Sequence, residues 1–344
     1  YLIDRVGRRR LLVAAPALTS LSAFLVLRAA SYPELLAYLT LGGIAQQMWQ
    51  MSRLAAIADS SVQNRRGRQI TGMASAGRLG TLMGPLLGGL IGELLGVRVP
   101  FAIYGVAAAL AVVPMYVFMP ETSPTVLARR RGESGGDEPN TAWSTLLTFR
   151  VGALFLAQFL ANAGRGGAIG HGGVFLIFAA YTYGTGPAAL GVIGTVVGIL
   201  GIPIMLTSGQ VMDRFGRKRQ IVPAAVAVGT GLAFMAATAA AGWSFTAFVV
   251  AFVWINLGVS AMAGSMQTLG TDLAPPGARG RFFGAIRFVA GVGSLANPAA
   301  FSISTAVVAG SAGFATAFGI MAGAALLTAL VVGTLVRETL QRSR

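Results

Sequence analysis

Two polar stripes stand out in a chain that is otherwise strongly apolar. Gln46, Gln50 and Arg53 are spaced i, i+4 and i+7, and Gln158, Asn162 and Arg165 repeat that spacing, so on a helix each trio projects from one face. Amides and guanidinium groups are costly in lipid and turn towards a bundle interior or a cavity. There they can hydrogen-bond a polar solute, and an arginine can grip a carboxylate or phosphate with two parallel bonds. The other reading is hydrogen bonding between helices of one bundle. Asn256 joins the candidate cavity set, with Arg78, Arg287 and Asn297 as weaker members. His171, the only histidine, lies six residues past Arg165 in the stretch GRGGAIGHGG. Its ring titrates near neutrality and suits a proton relay; an interfacial, hydrogen-bonded histidine is the alternative. The glycines around it suggest a helix that bends.

The same residues exclude other chemistries. There is no cysteine, no cluster with metal-ligand spacing, no G-x-S-x-G elbow, no phosphate-cradling P-loop and no pair of acids within an apolar window. Neither an enzyme nor a cofactor or metal is expected. The chain of 344 residues is 55% hydrophobic and 11% charged, where soluble domains run at roughly 45–50% and about 25%. That balance excludes a soluble globular protein, and apolar runs of about twenty residues exclude a disordered one.

Ten apolar windows can be read between polar breaks, at 10–30, 34–58, 70–95, 98–119, 150–181, 186–212, 220–241, 244–270, 281–306 and 311–336. Helix is the assignment for each, because lipid satisfies no main-chain hydrogen bonds and no alternating barrel strands occur. The connections alternate in charge. Twenty of the 26 Lys and Arg fall in segments on one side, and only Arg28 and Arg98 on the other. Positive loops stay in the cytoplasm, so this asymmetry sets the orientation and accounts for most of the net charge of +15 without a nucleic-acid partner. Residues 120–149, with the run ARRRGESGGDEPN, form the one long polar linker. The expected organisation is a bundle over 1–119, a cytoplasmic linker over 120–149 and a second bundle over 150–344. Within the windows, Arg53, Arg78, Arg165 and Arg287 face no acid except Glu93, which is placed near the outer end.

An internal repeat links the bundles. Asp4-Arg5-Val6-Gly7-Arg8-Arg9-Arg10 returns as Asp213-Arg214-Phe215-Gly216-Arg217-Lys218-Arg219, 209 residues later, and Asp59 with Arg66-Gly67-Arg68 returns as Asp272 with Arg279-Gly280-Arg281, 213 later. Two copies with the same loop on the same side make a parallel repeat about an axis along the membrane normal. The second copy has two helices before its repeated loop. By symmetry the first two helices of the first copy are expected to be missing from this sequence.

On these motifs the chain resembles the major facilitator superfamily. The loop signature G-x-x-x-D-R-x-G-R-R/K is complete from Gly209 to Lys218 and begins one residue late at Tyr1. The resemblance implies an all-α, polytopic bundle of two pseudo-symmetric halves, here spans three to six with the end of span two, the linker, and spans seven to twelve. It also implies an inner latch, Asp4, Arg8 and Asp59 in the first half and Asp213, Arg217 and Asp272 in the second. Topogenic charge alone is the other reading of those arginines. A further stretch, Gly80-Thr81-Leu82-Met83-Gly84-Pro85-Leu86-Leu87-Gly88-Gly89, is similar to the G-x-x-x-G-P-x-x-G-G signature of the family's antiporters. Its glycines recur every four residues and make a groove for a neighbouring helix, and Pro85 permits a bend. Plain small-residue packing is the alternative. One departure weighs against the usual coupling scheme: where the antiporters' fourth helix carries an arginine, this chain has Leu39 and Thr40. The function implied is proton-coupled efflux of small amphipathic compounds by a monomeric transporter of the cell inner (plasma) membrane, with the C-terminus cytoplasmic. Exchange or symport of a small organic anion is the alternative, motivated by the arginines.

Overall fold

The computed structural model describes residues 7–60, 63–121, 148–165, 173–262, 265–273, 279–336 and 338. Every regular element among them is a helix: α1 (Arg8–Arg28), α2 (Tyr32–Ser60), α3 (Gln63–Leu95), α4 (Val99–Phe118), α5 (Phe149–Ala163), α6 (Gly173–Tyr183), α7 (Pro187–Phe215), α8 (Arg217–Ala241), α9 (Phe245–Met262), α10 (Ser265–Asp272), α11 (Arg279–Val307) and α12 (Ser311–Thr334). The expected all-α, membrane-spanning class holds. Seven of these helices are long and apolar enough to cross a membrane. Their outward faces carry large apolar side chains such as Leu110, Val113 and Phe118 on α4 and Leu330 on α12, which suit lipid and would not suit water.

One of the ten windows ends its first helix early. Window 150–181 holds α5 and α6, with a turn at Gly164 and Arg165; in window 244–270 α9 and α10 are described, and 263–264 lie outside the described residues. Hydropathy does not register such a break, because the residues on either side remain apolar.

The chain divides into two compact units, Tyr1–Glu138 and Pro139–Arg344. In the first, α1 packs between α2 and α4 and buries Leu11, Leu12, Ala15 and Ala23. The close fit needs small residues: the ring of Phe24 and the methyl of Ala23 lie against Gly105 of α4. The Ser22 hydroxyl donates to the Tyr38 carbonyl of α2 at 2.6 Å. In the second unit α8 takes the same place between α9 and α12. Two apolar clusters fill that unit. Leu154, Ile221, Leu269, Phe282 and Val332 gather near the start of α8, and Phe175, Phe178, Leu232, Phe248 and Phe318 lie further along it. Phe175 stacks on Phe318 at 5.5 Å between ring centres. The packing order α1 with α2 and α4, then α8 with α9 and α12, is the sequence repeat expressed in three dimensions.

Candidate functional site

In the first unit the continuous helix α2 keeps Gln46, Gln50 and Arg53 on one face, as their spacing requires. Gln46 is exposed, Gln50 and Arg53 half-buried. The Arg53 guanidinium lies over the Trp49 ring, 5.6 Å from its centre, and its buried Nε has no hydrogen-bond partner among the described residues. The ring supplies a weak electrostatic attraction and no hydrogen bond.

In the second unit the stripe is divided between two roles. Gln158 is buried and its Nε2 donates to the Met266 carbonyl of α10 at 3.3 Å. Asn162 Nδ2 donates one turn back to the Gln158 carbonyl at 2.7 Å. Asn297 Nδ2, from α11, donates to the Asn162 carbonyl at 2.8 Å. These amides tie α5 to α10 and α11, which is the interhelical reading of the stripe. Asn256 is buried and its Nδ2 donates to the Phe252 carbonyl of its own helix at 2.8 Å. Arg165 stands apart. It lies in the turn after α5, and its buried Nε has no partner among the described residues. Arg287 is exposed beside the exposed Phe288.

The antiporter-like stretch lies on α3, which continues through Pro85. A side chain added at Gly80, Gly84 or Gly88 would meet nothing described within 4 Å, so the groove is open within its own unit. Asp4 and His171 lie outside the described residues, as do the side chains of Asp59, Arg78, Asp213 and Asp272.

At the latch arginines the structure places two carboxylates that the sequence reading passed over. Glu121, just after α4, accepts from the main-chain N–H of Arg8 at 2.9 Å and of Arg9 at 3.3 Å. Glu338, just after α12, accepts from the N–H of Arg217 at 2.9 Å and of Lys218 at 3.0 Å. Each carboxylate thus caps the first turn of α1 or α8, where free N–H groups and the helix dipole favour a negative charge. The reverse contact is duplicated too. Arg9 Nη2 donates to the Tyr116 carbonyl near the end of α4, and Lys218 Nζ to the Gly333 carbonyl near the end of α12. The residues before the caps, Gly7 and Gly216, have φ of 102° and 106°, a region open essentially to glycine alone. A Cβ at either would collide with the capping carboxylate. A sequence signal existed: Glu-Thr follows the apolar window at both places, 121–122 and 338–339, 217 residues apart.

A helical bundle built twice, with matched charged clasps at corresponding helix starts, is the architecture of a secondary membrane transporter. The chain belongs to the Major Facilitator Superfamily, whose profile matches residues 1–298. Among solved structures it is similar to a D-xylose–proton symporter, with 20% identity, a TM-score of 0.74, and coverage of 98% of this chain and 83% of that one. The inward-open xylose transporter XylE from E. coli matches with 18% identity, a TM-score of 0.68, and 98% and 81% coverage. The human organic anion transporter MFSD10 (TETRAN) matches with 17% identity, a TM-score of 0.65, and 96% and 78% coverage. At these identities the likeness is one of fold. No curated protein matches the chain. Family membership makes this a multi-pass membrane transporter of small molecules rather than an enzyme.

Proposed function

We propose that this transporter works by alternating access and exports small amphipathic compounds in exchange for protons, as a monomer in the inner (plasma) membrane. The observation that carries the antiport reading is α3. Its Gly80, Gly84, Pro85, Gly88 and Gly89 keep the antiporter pattern on one unbroken helix, and Gly80, Gly84 and Gly88 leave an open groove along which another helix can slide without side-chain collision. The orientation proposed from the charge asymmetry puts both Asp-Arg loops and the C-terminus in the cytoplasm. Asp4 and Asp59 with Arg8, and Asp213 and Asp272 with Arg217, then form the latch that must open in each cycle.

The test is transport in proteoliposomes with an imposed pH gradient and a lipophilic fluorescent dye as cargo. Proton exchange predicts dye accumulation that collapses when a protonophore is added. Substituting Gly84 by Val should slow that movement several-fold by filling the groove. Dye movement indifferent to the protonophore overturns the coupling, and cargo moving in the same direction as the protons overturns antiport.

A further inference from the structure

The turn at Gly164 and Arg165 is built, not merely permitted. A break within the hydrocarbon frees main-chain groups that lipid cannot satisfy, so the helix's own last turn and its neighbours must do it. Here Gly164 N–H donates to the Leu160 carbonyl at 2.8 Å, and Arg165 N–H reaches the Asn162 carbonyl at 3.4 Å. That same carbonyl receives Asn297 Nδ2 from α11. The neighbours come close on both sides. A Cβ on Gly164 would meet the Ala325 main-chain nitrogen of α12 at 2.6 Å, and one on Gly293 of α11 would run into the Phe159 carbonyl. The end of α5 is thus fixed by α11 and α12, and Arg165 extends from a fixed main-chain position. Counted from Arg150 at about 1.5 Å per residue it lies about 22 Å on, past the middle of a hydrocarbon layer of roughly 30 Å that begins near Arg150.

Arg165 is half-buried with its Nε fully buried, and no described group answers its charge. A guanidinium remains protonated in a protein, and a buried charge without a counter-charge is strongly unfavourable. Arg165 forms no ion pair with any described residue, and the one described carboxylate of its unit, Glu338, is engaged at the start of α8. Discontinuous helices are where transporters of this general design place their ligand sites.

We propose that Arg165 anchors an anionic group, carboxylate or phosphate, on the transported compound, and that Asn297 is the positioning residue that holds the turn carrying it. The inference rests on the transporter reading and adds the sign of the cargo's charge. It is tested by binding alone, so its failure is distinct from a failure of proton-coupled export.

The probes are naphthalene-2-carboxylate, naphthalene-2-carboxamide and 2-naphthylmethylammonium, titrated calorimetrically into the full chain in phosphatidylcholine nanodiscs. The expected result is carboxylate binding about tenfold tighter than the amide, with the ammonium weakest. R165Q should abolish that preference while amide binding stays within about twofold, and R165K should keep part of it, since a point charge survives without the bidentate fork. N297A should weaken the preference with an unchanged elution profile. Equal binding of the three probes by the unsubstituted protein, or no binding of any, overturns the proposal irrespective of how the variants fold. So does an undiminished preference in R165Q. Repeating the titration with phosphatidylglycerol in the disc separates the sources of the anion: a cargo site keeps its preference, and loss of it there assigns Arg165 to a lipid headgroup instead.

Discussion

Glu121 and Glu338 act on main-chain N–H groups, and this decides what their substitution should do. A carboxylate in that position offers two oxygens to two N–H donors and a charge to the helix dipole. Glu121→Gln keeps one acceptor and loses the charge, so thermal unfolding in detergent should register a loss of about 1 kcal/mol, the usual scale for a helix cap. Gly216→Ala should cost more than any single cap substitution. It adds roughly 1–3 kcal/mol of backbone strain at φ 106° and displaces the Glu338 carboxylate as well. A Gly216→Ala protein as stable as the parent would mean that the clasp contributes nothing. These residues were hard to read from sequence because an Asp-Arg loop invites pairing of opposite side-chain charges. The groups that Glu121 and Glu338 bind are backbone atoms, which sequence does not display. Only the recurrence of Glu-Thr after both windows pointed to them.

Among the elements, α5 separates what periodicity can tell from what it cannot. The i, i+4, i+7 spacing placed Gln158 and Asn162 together correctly, because a helix leaves no choice. It could not say whether their amides face a solute or a neighbouring helix, since both environments select the same residue types. The structure gives Gln158 and Asn297 to interhelical bonds, so Gln158→Ala should lower stability by about 0.5–1.5 kcal/mol and leave transport affinity nearly unchanged. A large change in cargo affinity at constant melting temperature would return Gln158 to the cavity. The break after Ala163 was illegible for a different reason: it is made by Asn297, Ala325 and Gly293, residues over 120 positions away. Gly293→Val should therefore damage α5 although the substitution is on α11, because the Phe159 carbonyl occupies the space where a side chain would go. Hydrogen exchange over Phe159–Ala163 is the measurement, with faster exchange expected there than in α1 of the same protein.

For the whole molecule the duplication is the most secure feature, because sequence offset and packing report it independently. The loop motif repeats at 209 residues, and the contacts Arg9 to Tyr116 and Lys218 to Gly333 repeat with that same offset in the donor and 217 in the acceptor. Such correspondence follows if one multi-helix unit was copied and both copies kept their helix-end chemistry. It carries a consequence for topology that is separable from any claim about cargo. If the copies are related by an axis along the membrane normal, equivalent loops lie on one side, and the excess of arginine in those loops is the ground on which we propose that this side is the cytoplasm. The chain contains no cysteine, so single-cysteine proteins need no altered background. Arg10→Cys and Arg219→Cys, both at exposed positions, should react with a membrane-impermeant maleimide only after cells are permeabilised. Ser31→Cys and Ser244→Cys, exposed beyond the far ends of α1 and α8, should react in intact cells. Labelling of the first two on opposite sides would mean an inverted repeat, which the matched clasps of Glu121 and Glu338 could not then have inherited from a common unit with a common orientation. Labelling of all four with the sides exchanged would leave the duplication intact and overturn only the orientation drawn from charge.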